Sequence, residues 1–142
     1  MSAYHQYATQ FEDQACTVQA LQDVSGYKAI VHDKAQPLYD YVGKKRPETA
    51  EIVVPRNQIN GAANDIGFKK QANGTFQAII SEYDRGHHNE QWLNKVKQAY
   101  SVRRGIGAAE KRGFTVTSQE VTKDNLGRPK TIVRFARAQA KA

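Results

Sequence analysis

Cysteine is nearly absent from this chain: Cys16 is its single thiol in 142 residues, so no internal disulfide can form. That usage fits a reducing compartment, and it removes the paired cysteines on which many zinc modules are built. Long apolar runs are missing as well. No stretch approaches the ~18 apolar residues that read as a membrane-crossing helix. The opening "MSAYHQYATQFED" has neither the basic start nor the apolar segment of a secretory signal, so the expected location is the cytoplasm, with no membrane partner. Acidic residues are scarce only in the second half. Residues 1–70 hold eight Lys/Arg and eight Asp/Glu, whereas residues 71–142 hold thirteen and six, which places the whole net charge of +7 there. Such an asymmetry points to an anionic partner or to a solvated basic face.

What is present suits one domain over residues 1–142, with 39% hydrophobic and 25% charged residues. "AYHQYATQF" (3–11) reads as a first strand. Asp13 is a helix N-cap, and Ala15, Val18, Leu21 and Val24 form an apolar stripe that ends at Ser25–Gly26. "YKAIVHD" (27–33) is a second strand. From 34 to 50 the pattern fades among Pro37, Gly43, Pro47 and the basic run Lys44–Arg46, so an irregular loop is expected. "AEIVV" (50–54) is a short strand. "DIGFKK" and "TFQAIISEY" form a hairpin across Asn73–Gly74, the second strand being central and covered on both sides.

A long helix spans about 89–112, with Asn89 as its cap. Trp92, Leu93, Val96, Ala99, Tyr100 and Ile106 lie on its apolar face. Two strands follow, 113–122 and 130–137, with Phe114, Val116 and Ser118 alternating in the first. Residues 138–142 read as a frayed tail. The expected fold is α+β: a largely antiparallel sheet of about six or seven strands packed with two main helices, in the order β-α-β-β-β-β-α-β-β.

Chemistry-bearing residues are few. His87 and His88, beside Asp84, invite a metal or proton-transfer reading. Zinc needs three or four ligands, yet adjacent histidines point apart, and no H-E-x-x-H spacing supports them. Only tertiary folding could bring His5 and His32 to join them. The residues favour a polar start to the long helix, with both imidazoles facing water. Glu82 and Asp84, two residues apart at a strand end, are read as sharing one side, able to hold a cation weakly or simply to be solvated. Cys16 reads as a small boundary residue with no identifiable base. Gly105-x-Gly107 lacks the preceding strand and the third glycine of a dinucleotide site. Two glycines inside a helix cost about 1 kcal/mol each against Ala, so packing is the expected compensation.

The same helix carries Lys95, Lys97, Arg103, Arg104, Lys111 and Arg112, and the last hairpin adds Arg128, Lys130, Arg134 and Arg137. These cations, Arg137 apart, are the candidate anion- or partner-binding residues. No RNA-recognition sheet, KH loop or zinc module accompanies them, so sequence-specific reading of nucleic acid is not expected.

Short motifs in a common order resemble a cyanobacterial and algal-plastid family, the thirty-fifth of the hypothetical chloroplast reading frames. They are Met1–Ser2 with Tyr4, "LQD" (Leu21, Gln22, Asp23), "DIGF" (Asp65–Phe68), Gln98 with Tyr100, and Lys111, Gly113, Phe114 and Val116. The family tends to carry His after Ser2, where this chain has Ala3, and its nearest histidine is His5. The resemblance implies a small soluble α+β protein of the cytoplasm or plastid stroma, from a photosynthetic lineage or a virus infecting one. It carries no reaction and no catalytic residue.

From these readings the expectation is a non-enzymatic accessory protein without a cofactor. It acts by protein–protein association or self-association through its basic C-terminal half. The alternatives are non-specific binding of nucleic acid and, second, a small metal-dependent enzyme built on clustered histidines.

Overall fold

The computed structural model describes residues 3–84 and 86–137. The expected tail, 138–142, lies outside them. Among the described residues are seven strands and two α-helices, an α+β fold in the expected order: β1 (Tyr4–Ala8), α1 (Gln14–Ser25), β2 (Ile30–Tyr39), β3 (Lys45–Val54), β4 (Ile66–Lys70), β5 (Phe76–Ser81), α2 (Glu90–Lys111), β6 (Phe114–Lys123) and β7 (Pro129–Arg137). The strands form two sheets where one was expected. Five pair antiparallel in the order β1-β5-β4-β3-β2, and β6 pairs only with β7. The fold divides into two compact units, residues 1–100 and 101–142, with the division inside α2.

Local chemistry explains most boundaries of the first unit. The Asp13 carboxylate accepts the Cys16 N–H at 2.8 Å, and Gly26 closes α1 in the left-handed region at φ 70°. The stripe of α1 is rotated from the expected one. Thr17, Ala20 and Leu21 are buried while Ala15 is exposed, because Thr17 turns its hydroxyl back onto the Asp13 carbonyl and so carries no unpaired polar group inward. The Asn73–Gly74 turn is also a variant of the expected one. Only Gly74 takes positive φ, and Gln71 N–H reaches the Thr75 carbonyl at 2.7 Å, a three-residue loop.

The segment 34–50, expected to be irregular, belongs instead to the β2–β3 hairpin. Pro37 is tolerated because β2 is an edge strand. At the hairpin tip, Asp40 Oδ1 accepts the N–H groups of Val42 and Lys44, and Gly43 turns the chain at φ 80°.

One face of the five-stranded sheet presents Ile52, Val54, Ile66, Phe68, Phe76, Ala78 and Ile80. Both helices cover it through Ala20, Leu21, Trp92, Leu93, Val96 and Tyr100. Phe11 stacks on Tyr100 with ring centres 4.5 Å apart. The opposite face holds a smaller cluster of Leu38, Ala50, Val53 and Ile79 around Gly67. β5 is therefore covered on one side and only in part on the other, where Ile79 is buried in this cluster and Gln77 is half-buried, short of the full cover its sequence suggested.

Candidate interaction surface

The cations divide at the boundary between the two units. Residues 1–100 hold eleven Lys/Arg and eleven Asp/Glu, while residues 101–142 hold ten and three, so the net +7 belongs entirely to the second unit. Arg103, Arg104, Lys111, Arg112, Arg128, Lys130 and Arg134 fall within it. Lys95 and Lys97 fall in the first unit, and Lys97 borders a shallow polar hollow with Gln6, Glu90 and Asn94.

Strand register separates the two faces of the β6–β7 ribbon. Ser118 opposes Arg134, Glu120 opposes Ile132 and Thr122 opposes Lys130, giving a largely polar face. Across the ribbon, Val116 opposes Phe135, Gln119 opposes Val133 and Val121 opposes Thr131. Thr117 is the extra residue of a bulge, which moves Ser118 off the Phe114–Val116 side expected for it. The cations of the polar face and its turn are partly paired: Arg128 Nε lies 2.7 Å from Asp124, and Arg134 lies 3.4 Å from Glu120. Arg128 also helps hold the Asp124 carboxyl below its usual range, chiefly through its backbone N–H. Both pairs are solvated and contribute little to stability.

Among the described residues the other face is only partly covered: Val121 is 75% exposed and Phe135 38%, and Leu126 in the connecting turn is 75% exposed. Among the described residues of this unit, only Ile106 is buried. Where the ribbon meets the last turns of α2 there is a cleft of about 390 Å³, lined by Gly105, Ala108, Ala109, Arg112, Phe114 and Phe135. The Arg137 guanidinium lies 6.0 Å from the Phe114 ring centre. The expected packing compensation for the two helix glycines is not supplied by the described residues: beyond the adjoining helix backbone, a Cβ added at Gly105 or Gly107 would meet nothing within 4 Å.

The four histidines do not converge. His5 is on edge strand β1, 3.8 Å from Glu82, and His32 is on the opposite edge strand, β2. His87 is exposed, whereas His88, expected to face water, is 4% exposed. His88 Nε2 shares a 2.7 Å hydrogen bond with the Tyr27 hydroxyl, and the ring meets Trp92 edge-on at 4.8 Å. Trp92 Nε1 in turn donates to Ser25 Oγ at 2.9 Å. The group latches the end of α1 to the start of α2. Burial lowers the His88 pKa to about 4, with a smaller contribution from His87, so the imidazole is neutral near pH 7.

Asp84 and Glu82 also part company, because residues Glu82–Asp84 form a 3₁₀ turn rather than a strand end. Asp84 accepts from Asn64 Nδ2 at 3.5 Å, and burial raises its pKa. Among the described residues, no group of three or more His, Cys, Asp or Glu is placed to hold a metal ion. Cys16 is half-buried against the main core, and among the described residues it belongs to no group able to hold a metal ion.

Two polar features carry no sequence signal beyond their composition. Asn64 and Asp65 are buried and organise three loops. Asp65 accepts from Tyr39 N–H and Arg56 N–H at 2.8 Å each, its carbonyl accepts from the Tyr4 hydroxyl, and Asn64 Oδ1 accepts from Tyr41 N–H. Burial raises the Tyr4 pKa, with Asp65 adding to the shift. On the open face of the sheet, Gln6, Glu48, Thr49, Lys69, Gln71 and Gln77 line a polar groove of about 360 Å³, in which Lys69 Nζ meets Thr49 Oγ1 at 2.8 Å. Antiparallel sheets often leave one such face wet.

A family model described as "Protein of unknown function (DUF1257)" matches residues 20–128. No curated protein and no solved structure matches the chain. The matched span takes in every strand except β1 and β7 together with both helices, all but the first six residues of α1 included.

Proposed function

We propose, from the premise that this chain belongs to the DUF1257 family of proteins of unknown function, that it works by binding rather than by catalysis. Its C-terminal unit, residues 101–142, is the contact surface for another protein. The observation that carries this reading is the coincidence of the entire +7 net charge with a unit whose ribbon exposes apolar side chains on one face. A soluble face needs charge, but it does not need Val121, Leu126 and Phe135 in water beside that charge. The first unit, neutral and well packed, is the scaffold. The resemblance to cyanobacterial and plastid reading-frame proteins extends the proposal to a photosynthetic cell, or a virus of one, and to its cytoplasm or stroma.

Non-specific binding of nucleic acid is the second reading, favoured by the exposed cations Lys130 and Arg134 on one ribbon face. No observation favours a metal-dependent enzyme over these.

Affinity capture on the full chain at low salt tests the proposal, with mass spectrometry and nucleic-acid absorbance read together. The expected result is a protein partner that is lost when Arg128, Lys130 and Arg134 are all changed to Glu. Recovery of nucleic acid instead selects the second reading. Retention of neither at low salt rejects both.

A further inference from the structure

We propose that the cleft formed by Gly105, Ala108, Ala109, Arg112, Phe114 and Phe135 is a socket for the apolar side chains of an acidic amphipathic segment of a partner protein. The inference rests on the reading that the C-terminal unit acts by binding, and it specifies the partner's chemistry.

The apolar surface is continuous enough to need an occupant. Phe135 belongs both to the cleft and to the ribbon face that continues through Val116, Val133 and Val121. A two-stranded ribbon is marginal in water without a third layer, and here Ile106 alone is buried among the unit's described residues. The cleft is also roomy: an apolar cavity of about 150 Å³ takes a benzene ring, and this one measures about 390 Å³. Its floor is bare at Gly105, where nothing among the described residues beyond the adjoining helix backbone lies within 4 Å of a Cβ placed there. An incoming backbone can therefore approach the helix closely.

Charge complementarity chooses the occupant. Arg112 lines the cleft and Arg137 lies over the ring of its Phe114 wall. A second copy of this unit would bring another net +7, and residues 1–100 of a second copy have no acidic excess to offer. A nucleic acid would answer the cations, but apart from the thymine methyl its bases offer flat rings that stack on an aromatic face rather than aliphatic side chains to fill the space between Ala108 and Phe135. A segment with Leu, Ile or Phe along one side and Glu or Asp beside it answers both demands.

The test uses fluorescence anisotropy on the full chain with three labelled probes. They are a helical Glu-rich peptide with a Leu face, the same peptide with Ser in place of Leu, and an oligothymidylate of similar charge. At low salt the Leu peptide is expected to bind at least about tenfold tighter than the Ser peptide. Ala108→Phe and Gly105→Leu, which fill the cleft, should each remove that advantage and leave Ser-peptide binding unchanged, with circular dichroism confirming the fold. Equal binding of the two peptides, or an advantage that survives both filling variants, overturns the socket while the basic binding surface stands. Tighter binding of the oligothymidylate than of either peptide assigns the surface to nucleic acid and also overturns it. No binding of any probe at low salt removes the reading beneath.

Discussion

Tyr27 and His88, sixty-one positions apart in sequence, meet through a 2.7 Å hydrogen bond that joins the end of α1 to the start of α2. The bond requires no charge on the imidazole, and burial holds the ring neutral.

Acid should therefore weaken the first unit through His88. Its folded pKa, about 4, lies below the ordinary histidine value of 6.5, so the unfolded chain binds more protons between those limits and stability falls as pH drops through them. At about 1.4 kcal/mol for each pH unit of that window the full loss is on the order of 3 kcal/mol. Asp84, whose pKa is raised by burial, acts in the opposite direction, because its folded form takes up a proton more readily than the unfolded one. Urea unfolding at pH 7 and pH 4.5 should show a shallower acid dependence for His88→Phe than for the wild type.

The Tyr100 hydroxyl accepts from Glu12 N–H at 2.9 Å and from Asp13 N–H at 3.0 Å. Tyr100→Phe keeps the ring on Phe11 but leaves both donors without that acceptor. An unsatisfied buried donor costs about 1–3 kcal/mol, and these two are only part-buried, so the midpoint of urea unfolding should fall by an amount near the low end of that range, with little change in slope. An unchanged midpoint would mean that water replaces the hydroxyl at no cost.

Two glycines should respond to alanine with opposite signs. At Gly67 an added Cβ would lie 2.7 Å from Ala50 Cβ and 3.1 Å from Leu38, and overpacking of this kind costs about 1–3 kcal/mol. At Gly105 the helix has open space, and Ala should stabilise by about 0.5–1 kcal/mol. Parallel thermal melts check both.

Asp65→Ala removes the acceptor of the Tyr39 and Arg56 N–H groups. Both hydrogen bonds go to a carboxylate, and such bonds contribute about 1.5–3 kcal/mol each. The expected result is marked destabilisation, with faster hydrogen exchange at Tyr39 and Arg56. Protection that persists at both amides would show that the loop holds its shape without the side chain.

Helices α1 and α2 were readable because their caps, Asp13 and Asn89, and their apolar spacing act over a few residues. The β4–β5 hairpin was readable through Gly74 for the same reason, although the loop geometry was not. The segment 34–50 hid its strands because β2 lies at a sheet edge, where Pro37 is tolerated and an alternating pattern is weak. The latch at His88 could not be read at all. Whether an imidazole meets water or Tyr27 and Trp92 depends on partners supplied by α1's end and α2's first turn. The candidate surface was half readable: its cations were plain, while Phe114 and Phe135 became cleft walls only once β6 paired with β7.

Composition and local rules alone settled the order of the elements, the helix caps and the quantity of surplus positive charge, since each depends on composition or on neighbours within a few residues. Only tertiary structure decided that β6 and β7 form a sheet of their own, that His88 is buried, that the charge boundary falls at a break between compact units, and that Gly105 faces open space. Those outcomes depend on which distant surfaces meet, and no short window of sequence contains that information.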